Sequence, residues 1–93
     1  MTRPVVLVMS PMYAPKQREL EASYDCRLHW ECADPPALLA QLAPQCEIVV
    51  TTGARGLTAA EMTALPRLKL VACFGVGTDA IDVAHARAHG IAV

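Results

Sequence analysis

The 93 residues are 54% apolar but only 4% aromatic and carry a formal net charge of −1, so a core has to be assembled from Ala, Val, Leu and Ile rather than from rings. This length admits one domain and no second core. The eight basic residues are scattered along the chain, which leaves no electrostatic footprint for nucleic acid or an anionic membrane surface.

No apolar run approaches the roughly 18 residues of a membrane helix. The N-terminus lacks both the apolar core and the cleavage site of a signal peptide, so the expected location is cytoplasmic. The four cysteines, Cys26, Cys32, Cys46 and Cys73, form no CxxC pair and read as small hydrophobes in a reducing compartment.

Val5-Val6-Leu7-Val8-Met9 is a continuous β-branched and apolar run, the pattern of a central strand covered on both faces of a parallel sheet. Ser10 to Pro15 is turn-like, and residues 16–23 have the composition of a short exposed helix. Cys26-Arg27-Leu28-His29-Trp30 alternates as a half-exposed edge strand does, with Cys26, Leu28 and Trp30 on one face. Asp34 followed by two prolines opens a helix through residue 43, aspartate serving as N-cap and proline fitting the first turn.

Residues 46–52 form a third strand that ends in Gly53-Ala54-Arg55-Gly56, a loop whose glycines permit positive φ. Thr58 and Glu61 have the spacing of a capping box, so a helix spans residues 59–65 until Pro66 stops it. Residues 68–74 make the fourth strand. Gly75-Val76-Gly77 follows, and Asp79 and Asp82 start a helix that ends at Gly90. Ile91-Ala92-Val93 begins a fifth strand.

Strands and helices therefore alternate, which predicts an α/β fold: a flavodoxin-like open parallel sheet in the order 2-1-3-4-5, helices on both faces, cut off within its fifth strand. In such sheets ligands bind beyond the carboxyl ends of the strands. The loops that begin near Ser10, Thr52 and Phe74 are thus the candidate ligand loops.

Gly75-x-Gly77-x-x-Ala80 matches the loose dinucleotide fingerprint. Yet Asp79 and Asp82 set carboxylates beside the helix N-terminus where a pyrophosphate belongs, and the motif follows the fourth strand instead of the first. Two readings remain at this point. Either the amides of Val76 and Gly77 bind a small anion such as a carboxylate, or the segment is a tight turn with capping aspartates and no ligand.

Metal binding has weak support. In Cys26-x-x-His29-x-x-Cys32 the histidine points away from Cys26 on a strand. His85 and His89 share a helix face without an evident acidic third ligand, and His89 complements the helix dipole. No nucleophile with its base can be assembled.

Residues 65–93, LPRLKLVACFGVGTDAIDVAHARAHGIAV, resemble the end of the substrate-binding domain in the D-isomer-specific 2-hydroxyacid dehydrogenases. The resemblance rests on Leu65-Pro66, Leu68-Lys69, Gly75-Val76-Gly77, Asp79 with Ile81-Asp82, and Gly90-Ile91-x-Val93. Thr51-Thr52-Gly53 and the helix after it are similar to the glyoxylate and hydroxypyruvate reductase branch. Residues 1–45 match only in element pattern.

The resemblance implies a two-domain, homodimeric enzyme in which NAD or NADP exchanges hydride with a small 2-keto or 2-hydroxy acid. It further implies that the amides at Val76 and Gly77, flanked by Gly75, hold the substrate carboxylate while Gly53 and Ala54 line the pocket. The family's catalytic arginine, histidine and glutamate and its own GxGxxG loop correspond to positions beyond Val93. Residues 1–93 are accordingly expected to be part of the substrate-binding domain without the nucleotide-binding domain, to bind no cofactor alone and to be inactive alone. The alternative is a free-standing flavodoxin-like ligand-binding or regulatory module.

The resemblance also implies that a later segment of the enzyme packs back on this domain, so residues 1–93 by themselves should expose apolar surface and be marginally stable. The expected behaviour is self-association during thermal unfolding. A cooperative, monomeric melt above about 60 °C, followed by light scattering alongside circular dichroism, contradicts it.

Overall fold

The computed structural model describes residues 4–11, 14–31, 33–53, 55–74 and 80–93. In chain order these form β1 (Val5–Val8), α1 (Ala14–Ser23), β2 (Asp25–Leu28), a 3₁₀ turn (His29–Glu31), α2 (Pro35–Leu42), β3 (Ile48–Thr52), α3 (Ala59–Thr63), β4 (Leu70–Phe74) and α4 (Val83–Ala88). The strands make one parallel sheet in the order β2-β1-β3-β4. Ala92 adds a parallel bridge to Leu70, its N–H donating to the Lys69 carbonyl at 2.9 Å and its carbonyl accepting from Val71 at 2.7 Å. The expected fifth strand thus begins beside β4, and the predicted order holds.

β1 sits between β2 and β3, pairing Val6 with Cys26 on one side and with Ile48 on the other. All four of its residues are buried, as the unbroken Val/Leu run requires of a strand covered twice. Alternate side chains sort to the two faces. Leu7, Val49 and Val71 pack with Leu42 of α2, Met62 of α3 and Ala86 of α4, whereas Val6, Val8 and Val50 pack with Leu20 of α1, Tyr24 and Cys26.

Among the described residues, one face therefore holds three helices and the other holds α1 alone. A single helix spans too little of a four-stranded sheet. Leu70 and Phe74, which point to the α1 side of β4, remain 40% and 46% exposed.

Several element ends differ from the sequence expectation, and each has a local cause. β2 stops at Leu28 because its last partner is Val8; the next residue of the central strand, Met9, donates instead to Val50 of β3. Trp30 consequently lies in a 3₁₀ turn and not on a strand face. β3 begins two residues after Cys46, whose N–H closes the end of α2 on the Leu42 carbonyl. β4 begins two residues after Leu68, whose N–H turns back to Leu65.

The helix starts follow the capping signals closely. Asp34 accepts from Ala37 N–H at 3.3 Å, with prolines in the first two helical positions of α2. Asp82 accepts from His85 N–H at 2.9 Å and starts α4, and Gly90 ends that helix region with φ 72°.

Leu7 is fully buried on the central strand, so Leu7→Ala should lower stability by about 2–5 kcal/mol. A urea titration should show a lower midpoint with an unchanged slope. An unmoved midpoint contradicts this assignment of the core.

Candidate functional site

The parallel arrangement places the segments after β1, β3 and β4 at one edge of the sheet, the edge where open α/β domains receive ligands. Of the site residues expected from sequence, Gly53 lies in the described structure; Ala54, Gly75, Val76 and Gly77 lie outside the described residues. What the structure does show is how the surroundings of these positions are built.

The loop between β3 and α3 is tied to both covalent flanks of segment 75–79. At one flank, the Gly53 N–H donates to the Phe74 carbonyl at 3.1 Å. At the other, the Leu57 N–H donates to the Ala80 carbonyl at 3.1 Å while the Asp82 N–H donates to the Leu57 carbonyl at 3.0 Å. Leu57 and Ile81 thereby form a small parallel bridge beyond the main sheet, and both side chains are buried.

Gly56 makes this approach possible. Its φ is 65°, and a Cβ there would overlap the Ala80 backbone and side chain. Glycine alone satisfies the backbone angle and the close approach together. The Thr51 hydroxyl, buried at the end of β3, donates to the Gly56 carbonyl at 2.8 Å, and the Gly56 N–H donates to the Thr52 carbonyl at the same distance.

The intervening Arg55 is held at both ends. Its N–H donates to the Thr52 hydroxyl at 3.2 Å. Its guanidinium forms a two-pronged ion pair with Glu61, at 3.3 Å to Oε1 and 2.7 Å to Oε2.

Glu61 also completes the capping box foreseen from sequence. The Thr58 hydroxyl accepts from Glu61 N–H at 3.2 Å, and the Thr58 N–H donates to Glu61 Oε1 at 3.0 Å. Burial pushes the Glu61 carboxyl upward, but the bonds from Arg55 and from the Thr58 backbone, with the Arg55 charge and the Thr58 hydroxyl, outweigh it and hold the carboxyl below its ordinary value. Neither the Arg55–Glu61 pair nor the Leu57–Ala80 tie carries a periodic signal in the sequence. The one available hint was a second glycine in a short loop that already had one.

The surroundings of the Gly75-x-Gly77-x-x-Ala80 motif do not suit a dinucleotide. In that fingerprint the third small residue belongs to the helix that receives the pyrophosphate. Here Ala80 precedes the helix, which begins at Val83, and the Asp82 carboxylate already accepts the His85 N–H at the helix start. The start of this helix does not fit the pyrophosphate of NAD or NADP.

Among the described residues no three of His, Cys, Asp and Glu are grouped as metal ligands. The His85 and His89 rings stack at 4.1 Å and 24°, with His89 Nδ1 on the His85 carbonyl at 2.9 Å. Rings so nearly parallel do not aim two nitrogens at one ion. Cys26 packs on the α1 side of the sheet and His29 falls in the 3₁₀ turn, while Cys32 lies outside the described residues. No described helix is long and apolar enough to cross a membrane.

A parallel sheet in the order β2-β1-β3-β4 with helices on both faces defines an open-sheet α/β domain. The family model for the D-isomer-specific 2-hydroxyacid dehydrogenase catalytic domain matches residues 6–93, and the chain belongs to that family. It is 32% identical over 88 residues to a glyoxylate/hydroxypyruvate reductase A from Arabidopsis thaliana, covering 95% of this chain and 28% of the relative. A solved 2-hydroxyacid dehydrogenase from Ketogulonicigenium vulgare superposes with a TM-score of 0.94 at 35% identity, over 98% of this chain and 29% of that one.

An NADPH-dependent glyoxylate/hydroxypyruvate reductase from Sinorhizobium meliloti, solved with citrate, gives a TM-score of 0.80 at 33% identity, over 98% of this chain and 27% of its own. The 93 residues thus span somewhat over a quarter of the proteins they match.

Two outcomes test this architecture. Gly56→Ala should cost more than the roughly 1 kcal/mol of an ordinary exposed glycine substitution, because φ and the overlap with Ala80 act together; a urea midpoint equal to that of the unsubstituted chain refutes the close approach. The second concerns pH. Since the folded Glu61 carboxyl titrates below its unfolded value, its contribution is present above about pH 4.5 and is lost as pH falls through the folded value. The stability gap between the unsubstituted chain and Glu61→Gln should therefore be widest near neutrality and close in acid, as measured by urea unfolding across that range.

Proposed function

We propose that residues 1–93 are part of the substrate-binding domain of an NAD(P)-dependent reductase that converts small 2-keto acids, of the glyoxylate and hydroxypyruvate type, to D-2-hydroxy acids. The amides of Val76 and Gly77, with Gly75 beside them, take the substrate carboxylate, and Gly53 and Ala54 line the pocket. The observation that carries this reading is the double tie of the β3–α3 loop to Phe74 and Ala80. That tie brings the Gly53 loop to both flanks of the segment that bears the candidate amides.

The chemistry suits a carboxylate. Backbone N–H groups at a strand-to-helix turn form an anion-binding concavity that recognises charge and shape without a side chain. Such a site positions the acid while hydride and proton come from elsewhere. The relatives named as glyoxylate/hydroxypyruvate reductases support the substrate class, and the NADPH dependence named for the Sinorhizobium meliloti protein supports a nicotinamide as the reductant.

On this reading the chain alone holds substrate without turning it over. A nucleotide-binding domain supplies NAD or NADP together with the catalytic arginine, histidine and glutamate, and the complete enzyme is a homodimer.

Oxalate, a planar and non-reducible analogue of glyoxylate, serves as the probe. Titrated into the ¹⁵N-labelled chain, it should shift the Val76 and Gly77 amides saturably, and the chain should not oxidise NADH or NADPH with glyoxylate. Joined to a family nucleotide-binding domain, it should support reduction of glyoxylate and hydroxypyruvate. Saturable shifts confined to other residues, or turnover by the 93 residues alone, overturn the reading.

A further inference from the structure

We propose that Glu61 is a positioning residue for the carboxylate site: by gripping Arg55 with both oxygens and Thr58 with one, it fixes the β3–α3 loop against both flanks of segment 75–79. This deepens the function proposed above and rests on it, because the loop so held is the one assigned to line the pocket.

The argument starts from what capping alone requires. A capping box needs an acceptor at its fourth position, and glutamine serves as well as glutamate. At Glu61 the acceptor is charged, its side chain is only 16% exposed, and it takes both prongs of the guanidinium of Arg55, whose side chain is 32% exposed. A two-pronged pair so largely shielded from water fixes geometry in a way that a solvent-exposed pair does not. One carboxylate thus starts α3 and anchors the loop before it.

The anchor point matters because of its neighbours. Arg55 is bonded through its own N–H to Thr52 at the end of β3, and it directly precedes Gly56, which lies against the Ala80 backbone. Gly56 in turn precedes Leu57, the residue paired with Ala80 and Asp82. A shift of Arg55 is therefore passed through two peptide units to the point where segment 75–79 rejoins the described structure. No flexible side chain intervenes to absorb it.

Oxalate again serves as the probe, with two variants that separate positioning from stability. Glu61→Gln keeps the acceptor for Thr58 but removes the charge that holds Arg55. Thr58→Ala removes the capping hydroxyl but leaves the Arg55 pair in place. Glu61→Gln is expected to weaken oxalate binding about five- to tenfold and to move the Gly53, Leu57 and Ala80 amide resonances. Thr58→Ala should lower the urea midpoint comparably, yet leave oxalate affinity within about twofold and Ala80 unmoved.

Losses of affinity that simply track lost stability in both variants overturn the proposal, as does Glu61→Gln binding oxalate normally. If Glu61→Gln does not fold, Arg55→Lys, which keeps the charge but loses the fork, is read by the same amides and the same titration. If the unsubstituted chain does not bind oxalate, the carboxylate reading fails. Amide hydrogen exchange at Gly53, Leu57 and Ala80 then decides the positioning role: faster exchange in Glu61→Gln but not in Thr58→Ala upholds it, and equal exchange in both removes it.

Discussion

Two segments at the carboxyl edge of the sheet meet through backbone hydrogen bonds, Leu57 bonding to both Ala80 and Asp82. Gly56, stripped of any side chain at the point of contact, lets them approach. The candidate site depends on this contact. The main sheet ends at Phe74 on β4 and Thr52 on β3, and without a further tie the two loops would be free to separate above it. The bridge of Leu57 to Ile81 continues the parallel pairing one step past the interruption and buries both side chains. It anchors the carboxyl edge to the same core that holds the strands.

This construction assigns different tasks to backbone and side chains. In the proposed function the backbone meets the ligand, which suits a small carboxylate held without strong preference for the rest of the molecule. Side chains set the backbone: Thr51 from beneath, Thr52 at the loop start, Glu61 from the following helix.

Much of the fold is legible in the letters because it is encoded locally. The Val5–Val8 run has no polar break and is buried on both faces. Asp34, Thr58 and Asp82 each precede a helix and are seen capping it. Strand ends were harder to place, since they depend on where a partner strand stops, as Leu28 shows by ending opposite Val8. The site was legible as a pair of glycine loops but not as a clasp. The contact joins residues near 57 and 80, far apart in sequence and without periodicity, and Arg55 beside Gly56 resembles any exposed loop cation until Glu61 is seen to hold it.

The all-parallel pairing also governs how quickly this architecture is reached. Val5 finds its partner in Asp25, and Ile48 finds its own in Leu70, so each of these ladders must await a crossover connection, and among the described residues no hairpin is available to nucleate the sheet. Loop-closure entropy has to be met before any pairing rewards it, which places such topologies among the slower folders of their size. A newly made chain therefore spends an extended interval with its Val- and Leu-rich segments uncovered, when encounters with other nascent chains compete with closure.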